Sequence, residues 1–138
     1  MKRKVYISGP MTGIEQLNRP AFEEAEIIIE SEGDIPINPF KLTDNIRFPF
    51  GADDRQIYFE FMKIDIRGLM DCDAIYLLPG WNHSKGACME LVTAHFFGLK
   101  IIRSGSDSAE RLDSFMMAAQ ELIKHSNRIE AEGEKVPV

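Results

Sequence analysis

The sequence predicts an α/β domain built on a doubly wound parallel sheet, Rossmann-like and in the flavodoxin-like strand order 2-1-3-4. Three observations carry this expectation. Short apolar runs of strand length alternate along the chain with longer segments of helical period. The run Ala74 to Leu78 is apolar throughout, as expected for a central parallel strand covered on both faces. The chain also opens in the order strand, helix, strand, which with right-handed crossovers places successive strands parallel in one sheet.

Residues 4 to 8 (KVYIS) form the first strand and end at the glycine-bounded turn Gly9-Pro10-Met11-Thr12-Gly13. A helix follows from about Pro20, with proline at its first position. Phe22, Ala25, Ile28 and Ile29 make its inner stripe, and Gly33 stands at its C-terminal stop. Residues 34 to 38 (DIPIN) form the second strand, near the sheet edge because Pro36 cannot donate to a ladder. From Pro39 to Asp54 turn residues, charges and Phe48-Pro49-Phe50 show no period, and a loop of that length is expected to be a lid or disordered. The next helix runs from about Arg55 to Asp71 with Ile57, Phe61, Ile64 and Leu69 on its packing side. Asp65 interrupts that stripe, four residues from both Phe61 and Leu69. Ala74 to Leu78 is strand three and Leu99 to Ile102 strand four. Residues 108 to 125 form a last helix with Leu112, Phe115, Met116, Ala119 and Ile123. No clear apolar run follows Ile102, so a fifth strand is left open. Residues 1–125 are expected to form one domain and residues 126–138 a flexible polar tail.

A chain of 138 residues with 44% hydrophobic content can build one full core and is too short for two ordinary domains. Its net charge of −6 argues against a nucleic-acid polymer as partner, since that binding rests on clustered Lys and Arg. A small anionic ligand needs only a local site and stays open. The basic start MKRKVYISG lacks an apolar run long enough for a signal peptide, and nothing later approaches a membrane span, so a cytoplasmic location is expected. Cys72 and Cys88 have no metal-ligand spacing and read as reduced core thiols. His83, His95 and His125 make no metal motif, and no metal or cofactor is assigned.

The chemistry is expected between Asp73 and Glu90, DAIYLLPGWNHSKGACME, which reads as a strand, a glycine-containing loop and a helix carrying one awkward carboxylate. Ser84 is a good N-cap, which sets Glu90 about a turn and a half inside the helix. Helical side chains lean toward the N-terminus, so Glu90 leans over Ala87 and Gly86, both small. The surrounding Ala87, Cys88, Met89, Leu91, Val92, Ala94, Phe96 and Phe97 predict a largely buried helix, in which an acid needs a partner or a purpose. In the order 2-1-3-4 the loops after strands one and three are neighbours at the carboxyl edge of the sheet. Tyr6, the Gly9-to-Gly13 turn and the Ser84 helix would then share one crevice, with free N–H groups facing an anion.

These residues resemble the nucleoside 2-deoxyribosyltransferase superfamily, including its 2′-deoxynucleoside 5′-monophosphate N-glycosidases and small phage-associated relatives. The likeness rests on Tyr6-Ile-Ser-Gly-Pro10, Asn38-Pro39, Asp65 with Asp73 eight residues later, and Ser84-Lys-Gly-Ala-Cys-Met-Glu90, and it spans roughly residues 4 to 103. The resemblance implies that Glu90 is the nucleophile attacking C1′ of a deoxyribose, that Asp65 contacts and helps protonate the departing base, and that Tyr6 orients the nucleophile. It places Ser84 at the sugar's 5′ end. With this reading the expected substrate-binding set is Ser8, Gly9, Pro10, Met11, Asn38, Ser84 and Gly86, with Arg19 and Lys85 as cationic helpers. The resemblance also implies a homodimer or higher homo-oligomer whose neighbouring subunit completes the site near Ser114. Asp73 is read as structural, closing the turn into strand three. The substrate would be a small nucleotide or nucleoside, and the acceptor water or a second base. Two rivals stand beside this reading: a nucleotide-binding module in which Glu90 only accepts hydrogen bonds, and a purely structural oligomer.

Overall fold

The computed structural model describes residues 2–104, 113 and 116–120. It divides into two units, residues 1–106 and 107–138, each taken by itself. In the second unit Asp113 and residues 116–120 are helical; Leu112, Ser114, Phe115, Ile123, residues 126–138 and any fifth strand lie outside the described residues.

The first unit holds four strands, β1 (Lys4–Ser8), β2 (Ile35–Ile37), β3 (Ala74–Leu77) and β4 (Lys100–Arg103), and four helices, α1 (Arg19–Ser31), α2 (Pro39–Thr43), α3 (Asp54–Met70) and α4 (Lys85–Phe96). All strand pairs are parallel and the order is β2-β1-β3-β4, as the sequence predicts. β2 is an edge strand, where Pro36 opposite Val5 breaks no central ladder. β3 is buried at every position. Asp73 closes the entry to it: its carboxylate accepts from Lys4 N at 2.9 Å, and its own N–H donates to Lys4 O at 2.8 Å.

Strand period two sorts the core into two layers. Val5, Ile7, Ala74, Tyr76 and Leu78 face Phe22, Ala25 and Ile29 of α1 and Phe40 of α2. Tyr6, Ser8, Ile75 and Leu77 therefore face the opposite side, where α4 packs on β1 and β3 and α3 packs on α4. Leu69 and Leu91 are fully buried in that second layer.

Three expectations are corrected. The segment after Pro39 begins with a helix, α2, because Asn38 accepts from Phe40 N at 3.0 Å and Pro39 sits at its first position; five residues are too few to show a period. On α1, Ile28 is 41% exposed and Glu26 takes the inner position instead, neutralised by Lys41 Nζ at 2.5 Å and bonded by Asn38 Nδ2 at 3.1 Å. The α4 helix is buried only along Ala87, Glu90, Leu91 and Ala94, while Met89, Phe96 and Phe97 are exposed.

Between β1 and α1 the chain turns through Gln16, Leu17 and Asn18, three consecutive residues with left-handed φ between 54° and 65°. That conformation is costly for side-chain-bearing residues, and Asn18 Nδ2, donating to Pro10 O at 2.9 Å, ties it to the loop after β1.

Candidate active site

The end of β1 and the end of β3 meet at Gly9. A Cβ there would stand 2.6 Å from Leu78 Cβ, so only glycine lets the two strand ends approach this closely. Leu78 N donates to Ser8 O at 2.8 Å, and the following loop brings Gly80 against Pro10. The two loops thus lie side by side at the carboxyl edge of the sheet, where open α/β sheets bind ligands.

From this edge β1 sends Tyr6 and Ser8 to the α4 side, two residues apart and hence on one face. Glu90 meets both. Tyr6 Oη donates to Glu90 Oε2, and Ser8 Oγ donates to Oε1 at 2.9 Å. Glu90 is 6% exposed and both hydroxyl residues are fully buried. Burial pushes Glu90 up to about 8; the Tyr6 and Ser8 hydroxyls hold it down, and the nearby Asp65 charge adds to the rise. Burial, with the charges of Glu90 and Asp65, likewise pushes the Tyr6 phenol well above its ordinary value, so it stays a donor.

Asp65 comes from α3 and stands close enough to perturb both Glu90 and Tyr6. Burial pushes it up to about 7, and its Oδ1 is buried without a hydrogen-bond partner. A buried acceptor left unpaired costs stability and is characteristic of a group awaiting a ligand or a proton. Two carboxyl groups from different helices, one held by two hydroxyls and the other open, can divide nucleophile and acid roles between them.

Ser84 caps α4, accepting from Ala87 N at 3.1 Å, which leaves its O–H proton free to donate. Gly86 in the first turn faces α3: a Cβ there would lie 3.6 Å from Met62 Sδ, 3.9 Å from Tyr58 Oη and 4.0 Å from Ser84 Oγ. Glu90, Tyr6, Ser8, Asp65, Gly9, Pro10, Ser84 and Gly86 therefore gather on the α3–α4 side of the first unit, toward the carboxyl edge of its sheet, with Lys85 exposed at the start of α4.

Other residues in the expected set are engaged elsewhere. Arg19 pairs with Asp44 at 2.5 Å and lies over the Phe40 ring at 4.2 Å from its centroid. Asn38 is buried, with its amide divided between the α2 cap and Glu26. Met11 packs against the α1 core layer. Ser114 lies outside the described residues. The bond from Ser8 to Glu90 is not visible in the residue pattern, although the strand period that places Ser8 beside Tyr6 is a usable signal. Tyr58 and Met62 carry no such signal, because nothing in their own segment shows which helix they face.

Among the described residues no group of three or more His, Cys, Asp or Glu is arranged to hold a metal, and no helix is long and apolar enough to cross a membrane. Cys72 is buried and burial pushes its thiol up to about 11.

The profile of a family described as "Domain of unknown function (DUF4406)" matches residues 3–103. No curated protein matches the sequence. Among solved structures the fold is similar to a 2-deoxyribosyltransferase from Bacillus psychrosaccharolyticus, with 20% identity and a TM-score of 0.58 over 78% of each chain. It is also similar to a 2-desoxiribosyltransferase from Leishmania mexicana, with 19% identity and a TM-score of 0.55 over 77% of this chain and 66% of that one. A conserved protein from Enterococcus faecalis V583 is similar at 19% identity and a TM-score of 0.51, over 83% of this chain and 74% of the other. At these identities the likeness is one of fold.

Proposed function

The chain belongs to the DUF4406 family, and from its fold and the geometry at Glu90 we propose that it cleaves the N-glycosidic bond of a 2′-deoxynucleoside 5′-monophosphate or nucleoside through a glycosyl-enzyme intermediate. The observation that carries this reading is a buried carboxylate held at both oxygens by Tyr6 and Ser8, beside a second carboxyl group, Asp65, with an oxygen left unpartnered. The fold shared with 2-deoxyribosyltransferases supports it.

In this reading a Glu90 oxygen attacks C1′ as the bond from C1′ to the base nitrogen breaks. The electron pair of that bond stays on the base, which takes the proton of Asp65. Each carboxylate oxygen has two lone pairs, so Glu90 can attack while still accepting from Tyr6 or Ser8. Positive charge developing at C1′ favours the ionised form of Glu90, and the two hydroxyl donors favour it further. Water, or the ring nitrogen of a second base, then attacks C1′ of the ester and delivers its proton to Asp65, which frees Glu90.

Ser84 and the free N–H groups at the start of α4 support a 5′-monophosphate over an unphosphorylated nucleoside, because a hydroxyl donates to phosphate where a carboxylate would repel it. Lys85 adds a cation at the same turn.

The reading is tested by incubating the protein with a panel of ribo- and deoxynucleosides and their monophosphates, followed by chromatography for free base. Release of base from deoxynucleotides is expected. Failure of every substrate to yield base would overturn it in favour of binding without turnover.

A further inference from the structure

We propose that Tyr58 is a specificity-determining residue of this site, its hydroxyl donating to the 5′ substituent of the substrate across the crevice from Ser84. The proposal rests on the N-glycosidase reading for the identity of the substrate, and on separate observations for the placement of the residue.

Tyr58, Met62 and Asp65 stand at i, i+4 and i+7 on α3 and so share one stripe of that helix. In a parallel sheet the helices preceding and following β3 both run against the strands, so α3 and α4 begin at the same carboxyl edge. Tyr58 lies in the second turn of α3 and Gly86 in the first turn of α4. Asp65 and Glu90 lie further in on the same two helices.

The space between the helix starts is narrow, with its nearest groups at ordinary contact distance from where a Gly86 side chain would stand. The point where a Gly86 side chain would begin lies within 3.6 to 4.0 Å of Met62 Sδ, Tyr58 Oη and Ser84 Oγ. One wall is therefore a thioether and two are hydroxyls, and no carboxylate is among these nearest groups. Tyr58 is 38% exposed and makes an edge contact with Phe59, at 5.8 Å between ring centroids; its hydroxyl bonds no described residue and is free to donate outward. Glu90 stands about one turn beyond Gly86 on α4 and leans back toward the helix start. In the reading that puts the 5′ end of the substrate at Ser84, a substrate with C1′ at Glu90 brings its 5′ substituent beside Tyr58. There two hydroxyl donors from different helices and the α4 N–H groups favour a phosphate.

The test is calorimetric binding of the four 2′-deoxynucleoside 5′-monophosphates, and of the four corresponding nucleosides, to the full chain as wild type, Tyr58→Phe and Gly86→Ala. Tyr58→Phe keeps the ring, deletes only the unpartnered hydroxyl, and is expected to melt as the wild type does. It should weaken monophosphate binding by about tenfold or more, the size of a lost hydrogen bond to a charged group, and lower the ratio of monophosphate to nucleoside affinity. Gly86→Ala places its Cβ at ordinary contact distances in a helix that favours alanine, so it should fold and still bind monophosphates more weakly. An unchanged affinity ratio in Tyr58→Phe, monophosphate binding in Gly86→Ala as tight as in the wild type, or a wild type that binds none of the monophosphates would overturn the proposal. Monophosphate binding that depends on Tyr58 without release of base would support it while sinking the N-glycosidase reading.

Discussion

At the residue scale the cost of the site is concentrated in Glu90. Its folded value lies near 8 against an ordinary 4.5, so across that interval the native chain holds a proton that the unfolded chain has released. Stability contributed by this group therefore falls as pH rises from about 4.5 to about 8, and the loss is complete above that range. Glu90→Gln removes the titration while keeping the shape. It is expected to melt higher than the wild type above pH 8, and to lose that advantage toward pH 4.5; thermal melts across this range check the sign. The same variant should release base at least roughly a thousandfold more slowly. Because the productive state carries one proton on the Asp65–Glu90 pair, kcat/KM should follow a narrow bell with apparent limbs of about 7 and about 8. A profile whose acidic limb falls at an ordinary carboxylate value near 4 would contradict that assignment. Ser84→Asp should selectively impair monophosphates, read as the ratio of kcat/KM for deoxynucleotide over deoxynucleoside; no selective loss would leave Ser84 as a cap only.

At the scale of the element, segments marked by an apolar run or stripe were legible and the short capped helix α2 was not. The α1 and α3 helices announce themselves by proline or aspartate at the start and an apolar stripe, and β3 by its unbroken apolar run. Asp65 was legible because a charge on an apolar stripe has no ordinary explanation. The α2 helix was not, since its five residues depend on the Asn38 cap and on a tertiary partner, Glu26, twelve residues earlier. That same dependence yields a prediction: Asn38→Ala removes both the cap and a hydrogen bond to buried Glu26, and should cost roughly 2 kcal/mol in denaturant unfolding. A cost near zero would mean that Lys41 alone satisfies Glu26. The Tyr6–Ser8–Glu90 cluster lay between these cases. Strand period put the two hydroxyls together, but only the packing of α4 on that face of the sheet showed what they hold.

At the scale of the whole molecule, strand order was legible because alternation of strands and helices with right-handed crossovers leaves few arrangements. The exposed surface was less so. Phe59, Met62, Ile66 and Met89, with Lys63 and Arg67, line a groove of about 510 Å³, and Phe96 and Phe97 lie exposed at the end of α4. A sequence pattern reports how apolar a helix is and not which neighbour covers it, which is why α4 reads as more buried than it is. A homo-oligomer is expected in solution, and light scattering that returns the monomer mass of 15.7 kDa would count against it. The central claim is that Glu90 becomes covalently bonded to C1′. It is tested most directly by acid-quenching the protein during turnover of the deoxynucleotide it uses and locating any adduct by peptide mass spectrometry. The expected result is a 5-phospho-2-deoxyribosyl ester of the Glu90 carboxylate, absent from Glu90→Gln. Steady release of base with no adduct at Glu90, or with one on another residue, would contradict it.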